Sequence, residues 1–383
     1  MAKPTFYEFF AGGGMARAGL GEGWRCSFAN DFDARKAAAY KANWGASHFH
    51  LGDIHALSAD DLPGAADLAW ASFPCQDLSL AGHGAGLSGK SSGAFWGFRA
   101  VVERLRAQRR APKMLVIENV IGALTSNGGA DFIELCRGLA SLGYDVGALT
   151  VDAALFLPQS RPRLFIVCVQ ADRAPHADVA QAAPAAPFHS AALERVAARL
   201  PQDVKARWRW WALPPPAARN LRLEDIVEEN PRDAPWRTDE ETTRLIGMMS
   251  EPNRQKLADA RAAGVRRVGT IYRRTRPDEH GAKIQRAEVR FDGIAGCLRT
   301  PGGGSSRQFI IVVEGARVRT RLLSGREAAR LMGLPDDYVL PARYNEAYKL
   351  MGDGLAVPAV AFIRRHLLDR LIADPCPVLA AAE

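Results

Sequence analysis

Residues 73–79 read FPCQDLS, and the cysteine at their centre is the residue of this chain best placed to do chemistry. It follows the apolar run ADLAWAS, stands behind Pro74, and leads into LAGHGAGLSGKSSGAF, a stretch dominated by Gly, Ser and Ala. A structural cysteine behaves as a small hydrophobe and belongs inside an apolar run. Cys75 stands at the edge of one, where a thiolate can serve as a nucleophile. Glu118 closes a similar run, KMLVIE. If the two runs are strands joined by one helix, their carboxyl ends lie about 5 to 10 Å apart, given the spacing of strands in a sheet. A thiol and a carboxylic acid would then share one pocket, and a carboxyl kept protonated by burial donates to a ring nitrogen. A helix cap or an ion pair is the alternative use of such a glutamate.

The stretch FFAGGGMARAGL follows a strand-like run and opens a helix. Gly12, Gly13 and Gly14 remove side chains where the backbone turns sharply and a ligand can approach. The Lys and Ser/Thr of a phosphate-binding P-loop are missing, and so is the G-x-G-x-x-G spacing. Asp31, ending the second strand-like run, is placed to receive ribose hydroxyls, and Asp53 in LGDI, ending the third, to accept from an exocyclic amine. Adenosine without phosphates fits this set better than a dinucleotide does.

The elements that must position these residues follow from periodicity. Up to Val169, short β-rich runs alternate with helical patterns, which predicts βαβ units and a mostly parallel sheet. Ligands of such sheets bind beyond the carboxyl ends of the strands, where every residue named so far lies. An Ala- and Pro-rich connector with one short helix follows, then an irregular region rich in Arg and Trp, from RWRWW through RRVGTIYRRTRPDEHG to CLRTPGGGSSRQ. That region is expected to be a second domain, mostly β and loop, in contact with nucleic acid, with arginines that merely solubilise a surface as the alternative. Its WRWW cluster, Trp208 to Trp211, reads as core of that small domain rather than a stacking platform. The end of the chain returns to helical periodicity and is expected to pack back on the first domain. The boundaries are 1–190, 191–320 and 321–383.

With 383 residues and 48% hydrophobic content, the chain is long enough for one large domain and a smaller one. A formal charge of +8 favours a polyanionic partner. Six cysteines lie far apart with no C-x-x-C pair, so neither a zinc site nor a disulfide framework is suggested, and free thiols in a reducing cytosol are expected. No apolar run approaches the roughly 18 residues of a membrane span, and the start lacks a signal-peptide pattern. The expectation is a soluble, cytoplasmic protein without metal.

In order along the chain, FAGGG, FPCQDLS, ENV, QSRPRLFIV, RLLSGREAARLMGLPDDY and GDGLAVPAV resemble the motif blocks of DNA (cytosine-5)-methyltransferases. The likeness covers Thr5 to Val169 and Arg321 to about Leu368, with a dissimilar middle where that family keeps its target recognition domain. It implies an α/β fold of the S-adenosylmethionine-dependent methyltransferase class, Rossmann-like, whose mostly parallel sheet has one antiparallel strand, with a smaller target recognition domain. It also implies double-stranded DNA as partner and S-adenosylhomocysteine as product.

Carried over by residue, the resemblance makes Cys75 the nucleophile that adds to C6 of a flipped-out cytosine, and Glu118 the group that holds the ring at N3. Pro74 fixes the turn, and the Gly/Ser-rich stretch beyond is similar to the family's mobile loop, with Gln76 and Ser79 near the vacated base site. Arg161 and Arg163 in QSRPR match the pair that contacts the cytosine and the adjacent phosphate. Phe10, Ala11, Gly12, Gly14, Asp31, Phe32, Asp53, Ile54 and Pro74 match positions around the cofactor, and Asp353, Gly354 and Leu355 lie in a turn that would approach its methionine part. Arg326 and Glu327 are expected as scaffold tying the two domains together.

This chain departs from the usual pattern at several places. Glu8 stands where the family usually has Asp, Asp31 where it has Glu, Ser92 where it has Arg, and Asp353 where it has Asn. In the middle domain, CLRTPGGGSSRQ is the candidate for DNA contact: Arg299 for a guanine edge, Thr300 for a phosphate, and Arg307 beyond the glycines. A plain hairpin turn is the alternative there. A tRNA cytosine methyltransferase of the same superfamily would share Cys75, Glu118 and the cofactor site, and the sizeable variable domain argues for duplex DNA instead. An amino-methyltransferase lacks support, because its Asp/Asn-Pro-Pro-aromatic motif is absent. A catalytically silent DNA-binding module would have lost Cys75, Glu118 or the glycine loop, and none is lost. A restriction endonuclease of the same specificity and a monomeric working form complete the expectations.

Overall fold

The computed structural model describes residues 2–73, 93–173, 178–278, 281–300 and 307–373. By contacts, the chain divides into two compact units: residues 1–151, 162–216 and 359–383, and residues 152–161 and 217–358.

The first unit is built on a nine-stranded sheet in the order β3-β2-β1-β4-β5-β7-β6-β9-β8. The strands are β1 (Thr5–Phe9), β2 (Arg25–Asp31), β3 (Phe49–Leu51), β4 (Leu68–Ala71), β5 (Met114–Val120), β6 (Tyr144–Asp152), β7 (Pro162–Gln170), β8 (Ala180–Gln181) and β9 (Trp208–Trp211). Strands β1 to β5 run parallel, and β7 is antiparallel to β5, in register from Met114↔Val169 to Val120↔Arg163. The helices α1 (Met15–Leu20), α2 (Ala34–Trp44), α3 (Gly93–Ala107), α4 (Ala130–Ala140), α5 (Ala191–Ala197) and α6 (Gln202–Ala206) complete it, with the end of the chain. Helix α2 starts where Asp33 accepts from the amides of Arg35 and Lys36, satisfying donors that the first turn leaves open. Helix α3 buries Phe95, Phe98, Val101, Val102 and Leu105, a stripe at helical spacing. That stripe joins Phe132, Leu135 and Leu139 of α4 and the apolar side chains of β1, β4, β5, β6 and β7 in one core.

The Trp208–Trp211 run was expected in the core of the small domain, and the structure places it elsewhere. It forms β9, paired with β6 and β8 in the first unit's sheet. Gly147 of β6 leaves the room that the Trp211 indole fills, and that indole donates to the Val167 carbonyl at 3.1 Å. The first unit therefore extends past residue 190 to Pro216. It also regains the chain from Ala359, where Asp369 accepts from the Trp24 indole at 2.7 Å, whereas residues 321–358 belong to the second unit.

The second unit carries a four-stranded antiparallel sheet, β11-β10-β12-β13, formed by β10 (Arg267–Pro277), β11 (Lys283–Arg290), β12 (Phe309–Glu314) and β13 (Arg317–Leu322). Alternate residues Phe309, Ile311 and Val313 point to a core shared with Ile271, Ala287 and Val289, the period of two that a sheet with one dry face requires. The other helices of this unit are α7 (Leu223–Ile226), α8 (Asp239–Gly247), α9 (Glu251–Ala262), α10 (Gly325–Leu331) and α11 (Tyr344–Asp353). The other wall of that core is helical, Leu245 of α8 and Leu257 and Ala260 of α9, so the unit holds more helix than a β and loop reading allows for. Among the described residues, no helix is long and apolar enough to cross a membrane, and no group of three or more His, Cys, Asp or Glu could hold a metal ion.

Candidate active site

In the first unit the described candidate residues lie at the carboxyl ends of β1, β2 and β5 and just beyond β3. Strand β1 ends at Phe9, and the chain then takes a left-handed conformation at Phe10 (φ 57°), Gly12 (φ 56°) and Gly14 (φ 77°). A side chain at Gly14 would collide with the Trp44 indole, which donates to the Gly13 carbonyl at 3.0 Å. At Gly12 a Cβ would meet nothing within 4 Å, so the space there is open to a ligand. Ala11 is buried, and its amide donates to the Asn30 carbonyl at 2.9 Å.

Asp31 is buried, and its two carboxyl oxygens accept from the amides of Gly12 (2.8 Å) and Asp33 (2.9 Å). Desolvation by burial raises its pKa above the ordinary carboxyl value, against the pull of those amides. The shorter Asp side chain thus locks the glycine loop to the end of β2, and each oxygen keeps a second lone pair for a hydroxyl. Phe32, the next residue, is 65% exposed, an unusual state for a large aromatic ring beside a sheet. Exposed Asp53 accepts from the His55 amide at 2.9 Å, and Ile54 is buried beneath it against Gly97. These residues fit an adenosine: an open glycine loop, a ring free to stack, and two carboxylates at strand ends.

Pro74, Cys75, Gln76, Ser79 and Ser92 lie outside the described residues. What leads into them is described: buried Phe73 packs edge to face on Phe10 at 6.4 Å, and its carbonyl accepts from Asn119 Nδ2 at a long 3.5 Å. Strands β4 and β5 pair as far as Ala71↔Ile117, so Ser72 and Phe73 follow β4 beside Glu118 and Asn119. Glu118 is buried, and Arg163 Nε lies 3.2 Å from its Oε1. The antiparallel register explains the contact, because Glu118 and Val120 share a face and Arg163 stands opposite Val120. Cys26, Cys136 and Cys168 are buried thiols, the first pushed up to about 12 and the others raised, chiefly by desolvation, which keeps them protonated and unreactive.

Arg161 has a different place. It is buried in the second unit, and its guanidinium donates to the carbonyls of Leu298 (2.8 Å), Gly352 (2.8 Å) and Gly354 (2.6 Å). That commitment makes it a tie between backbone segments, in contrast to the substrate contact expected of it. Thr300, expected on a phosphate, donates its hydroxyl to Asp353. Arg299 is exposed, Arg307 is held by Asn345 and lies over the Tyr344 ring at 5.7 Å, and Leu355 is buried. Glu327 pairs with Arg321, and Arg326 donates to the carbonyls of Pro335 and Tyr338, contacts that brace the second unit.

Buried amides are what sequence reasoning missed. Asn30 donates to the carbonyls of His50 and Gly52, and Gln159 donates to the Leu331 carbonyl and accepts from the Leu298 amide. Gln308 exchanges hydrogen bonds with Gly296. The available signal was an amide at the end of an otherwise apolar strand, or beside a motif arginine.

Comparison with known proteins agrees with this architecture. The family model for C-5 cytosine-specific DNA methylase matches residues 4–369. The Type II methyltransferase M.HpaII of Haemophilus parainfluenzae is 26% identical, over 96% of this chain and 90% of its own length. The Type II methyltransferase M.BsuFI of Bacillus subtilis is 25% identical, over 98% of this chain and 75% of its own. Among solved structures, the Entamoeba histolytica methyltransferase EhMeth superposes with a TM-score of 0.62 at 12% identity, covering 97% of this chain and all of that one. The Dnmt2 methyltransferase of S. pombe gives 0.56 at 17% identity with the same coverage, a likeness of fold. The chain belongs to the C-5 cytosine-specific DNA methylase family and is a DNA (cytosine-5)-methyltransferase.

Proposed function

We propose that the chain methylates C5 of a cytosine turned out of duplex DNA, with S-adenosylmethionine as methyl donor, through a transient bond from Cys75 Sγ to C6 of the base. The observation that carries this reading is buried Glu118 in β5, held by Arg163, with the neighbouring Asn119 bonded to the carbonyl of Phe73, two residues before Cys75 in the sequence.

An aromatic C5 is a poor nucleophile, and covalent addition divides one difficult substitution into easier steps. The Cys75 thiolate adds to C6, the C5–C6 π electrons move into the ring toward N3, and Glu118 holds N3 as that charge arrives. Arg163 keeps the Glu118 carboxyl oriented. C5 then has enamine character and would take the methyl group, the donor's sulfur leaving as a neutral thioether; release of the C5 proton to water restores the double bond and expels the thiolate. A stacked base exposes neither ring face, so the target has to leave the helix. S-adenosylmethionine, when bound, supplies an electrophilic methyl on a sulfonium. Gly12, Asp31, Phe32, Asp53 and Ile54 are the residues that would hold it, with Pro74 and the turn 353–355 implied by the family resemblance.

Duplex DNA is favoured as the polyanion by the outer end of the β10–β11 hairpin. Arg274, Arg276 and Arg286 share the face turned away from the core of the second unit, with Glu288 as the acid among them. Arg299 and Arg307 are added candidates for DNA contact. A cytosolic setting that keeps Cys75 reduced, a monomeric working form and a restriction endonuclease of the same specificity belong to this proposal.

The test is nucleoside mass spectrometry on duplex DNA incubated with S-adenosylmethionine and either the unaltered protein or Cys75→Ala. 5-Methylcytosine is expected with the unaltered protein alone. Its appearance with both proteins removes Cys75 from the mechanism, and its absence with a folded protein that binds the cofactor overturns the substrate.

A further inference from the structure

Behind the glycine loop of the first unit stands a set of side chains that the proposed mechanism does not use. The loop is gripped by residues before and at the end of helix α2: Asp31, which precedes the helix, accepts from the Gly12 amide, and Trp44, its last residue, donates its indole N–H to the Gly13 carbonyl at 3.0 Å. The Gly14 amide, on the same peptide plane as that carbonyl, donates to the Ala11 carbonyl at 2.8 Å, so both poles of the peptide are engaged and its orientation is set. The indole is itself fixed. It fills the place a Cβ on Gly14 would need, and the Arg17 guanidinium lies over its face, 4.9 Å from the ring centroid. Arg17 in turn donates to the Tyr40 hydroxyl at 3.2 Å and to His48 Nε2, while its amide and the Tyr40 hydroxyl both bond to Glu8 of β1.

We infer that Trp44 is a positioning residue for the cofactor: its indole N–H fixes the Gly12–Gly14 loop in the shape that S-adenosylmethionine binds, and Arg17 holds the indole in place. The inference rests on the proposed function, which assigns that loop to the cofactor. Glycines lose more conformational freedom on ordering than other residues do. A loop already fixed leaves less of that cost to binding, so the bond from Trp44 is read in affinity. Ring bulk alone does not fill this role. A phenyl ring could pack against Gly14, whereas the Gly13 carbonyl needs a donor aimed at it, which the indole supplies and a phenyl ring lacks. Arg17 acts one step further back, through its contact with the indole face.

The test is calorimetric titration of S-adenosylhomocysteine into the full-length protein. Trp44→Phe, which keeps an aromatic ring and removes the donor, should weaken binding about fivefold, the scale of one hydrogen bond. Arg17→Met should weaken it about twofold, and the double variant no more than Trp44→Phe does, because Arg17 acts through the indole. Leu139→Ala, a core change in α4, should lower the melting temperature and leave binding as it was. In methyl transfer by Trp44→Phe, KM for S-adenosylmethionine should rise with the dissociation constant, while kcat at saturating cofactor stays within about twofold of the original. Unchanged binding in a folded Trp44→Phe overturns the inference, and so does equal weakening in Leu139→Ala, which would make the effect one of general stability. Should Trp44→Phe not fold, unchanged binding in Arg17→Met overturns it instead. If the unaltered protein does not bind S-adenosylhomocysteine, the cofactor reading of the proposed function has failed and the inference falls with it.

Discussion

Two buried glutamate–arginine pairs, one in each unit, are built from the same groups and do different work. Arg321 and Glu327 have no exposed side-chain surface, and their contact is a fork, with Nη1 to Oε2 at 2.8 Å and Nη2 to Oε1 at 2.5 Å. The Ser324 and Glu228 amides add two further donors to Glu327, each at 2.7 Å. Such a carboxylate has its lone pairs filled by protein, which is what allows a charge to stay buried. Glu118 and Arg163 meet side-on at 3.2 Å, with side chains 10% and 14% exposed, at the end of a sheet where solvent still reaches. The contrast is one of exposure: the Arg321–Glu327 pair is closed off from solvent, and the Glu118–Arg163 pair keeps a little solvent at the end of a strand.

The largest effect that would sharpen this contrast is on turnover. Glu118→Gln keeps the volume and removes the acid, so kcat for methyl transfer should fall about 10² to 10⁴-fold, the usual contribution of a positioned acid or base. S-adenosylhomocysteine binding, measured by titration, should persist. Turnover equal to that of the unaltered protein would place Glu118 with the scaffold.

Glu327→Ala should act on stability instead. Removing one partner of a closed buried pair costs about 3 to 5 kcal/mol, read as a lower midpoint in urea, while kcat of the molecules still folded stays near the original. Replacing both partners, Arg321→Met with Glu327→Leu, should restore much of that loss, since no unpaired charge remains. If the single variant unfolds at the original midpoint, the closed pair is not what holds this corner together.

How far each region was legible in the sequence follows the same division. Strands β4, β5 and β7 could be read because each is a short apolar run bounded by polar residues, and Glu118 could be placed because the strand beneath it could. The Trp208–Trp211 run was assigned to the wrong core, because an aromatic run suits either unit. What decides is Gly147, whose missing side chain no local pattern connects to Trp211. Thr300 and Asp353 meet across a separation in sequence of 53 residues, and neither residue type announces the other. Arg161 was legible as an important arginine; that its guanidinium reaches three carbonyls was not, since backbone acceptors leave no mark in a sequence.

A third glutamate, Glu8, tests whether burial without a full set of partners leaves a pH signature. It lies behind the glycine loop, where its carboxyl accepts from the Arg17 amide at 3.3 Å and the Tyr40 hydroxyl at 3.4 Å, with Cys26, Asp31 and His48 as the other titratable groups of this corner. Desolvation pushes its pKa from 4.5 up to about 8. Between those two values the folded chain holds a proton that the unfolded chain releases, so this residue's contribution to stability declines as pH rises through the window. Glu8→Gln has no such proton. Its melting temperature should therefore fall less than that of the unaltered protein between about pH 5 and pH 8, and the difference between the two curves isolates Glu8 from other titrating groups. Parallel curves would mean that the carboxyl is already ionised in the folded protein.

The smallest effect concerns arginines that are neither closed scaffold nor catalytic site. Arg274 and Arg276 both lean on Glu288, at 3.1 and 2.6 Å, and all three side chains are a third to a half exposed. Exposed pairs of this kind add little to stability, typically under about 1 kcal/mol, so Arg274→Gln should leave the melting temperature nearly unchanged. If the hairpin follows the DNA backbone, the same change should weaken duplex binding several-fold at low salt and lower the slope of log K against log salt by about one, because one fewer counterion is released. Glu288→Gln frees the two guanidiniums from their acid and should shift affinity the other way. A salt slope untouched by both changes would leave the hairpin arginines as solubilising surface, and would move the phosphate contacts of the second unit to Arg299 and Arg307.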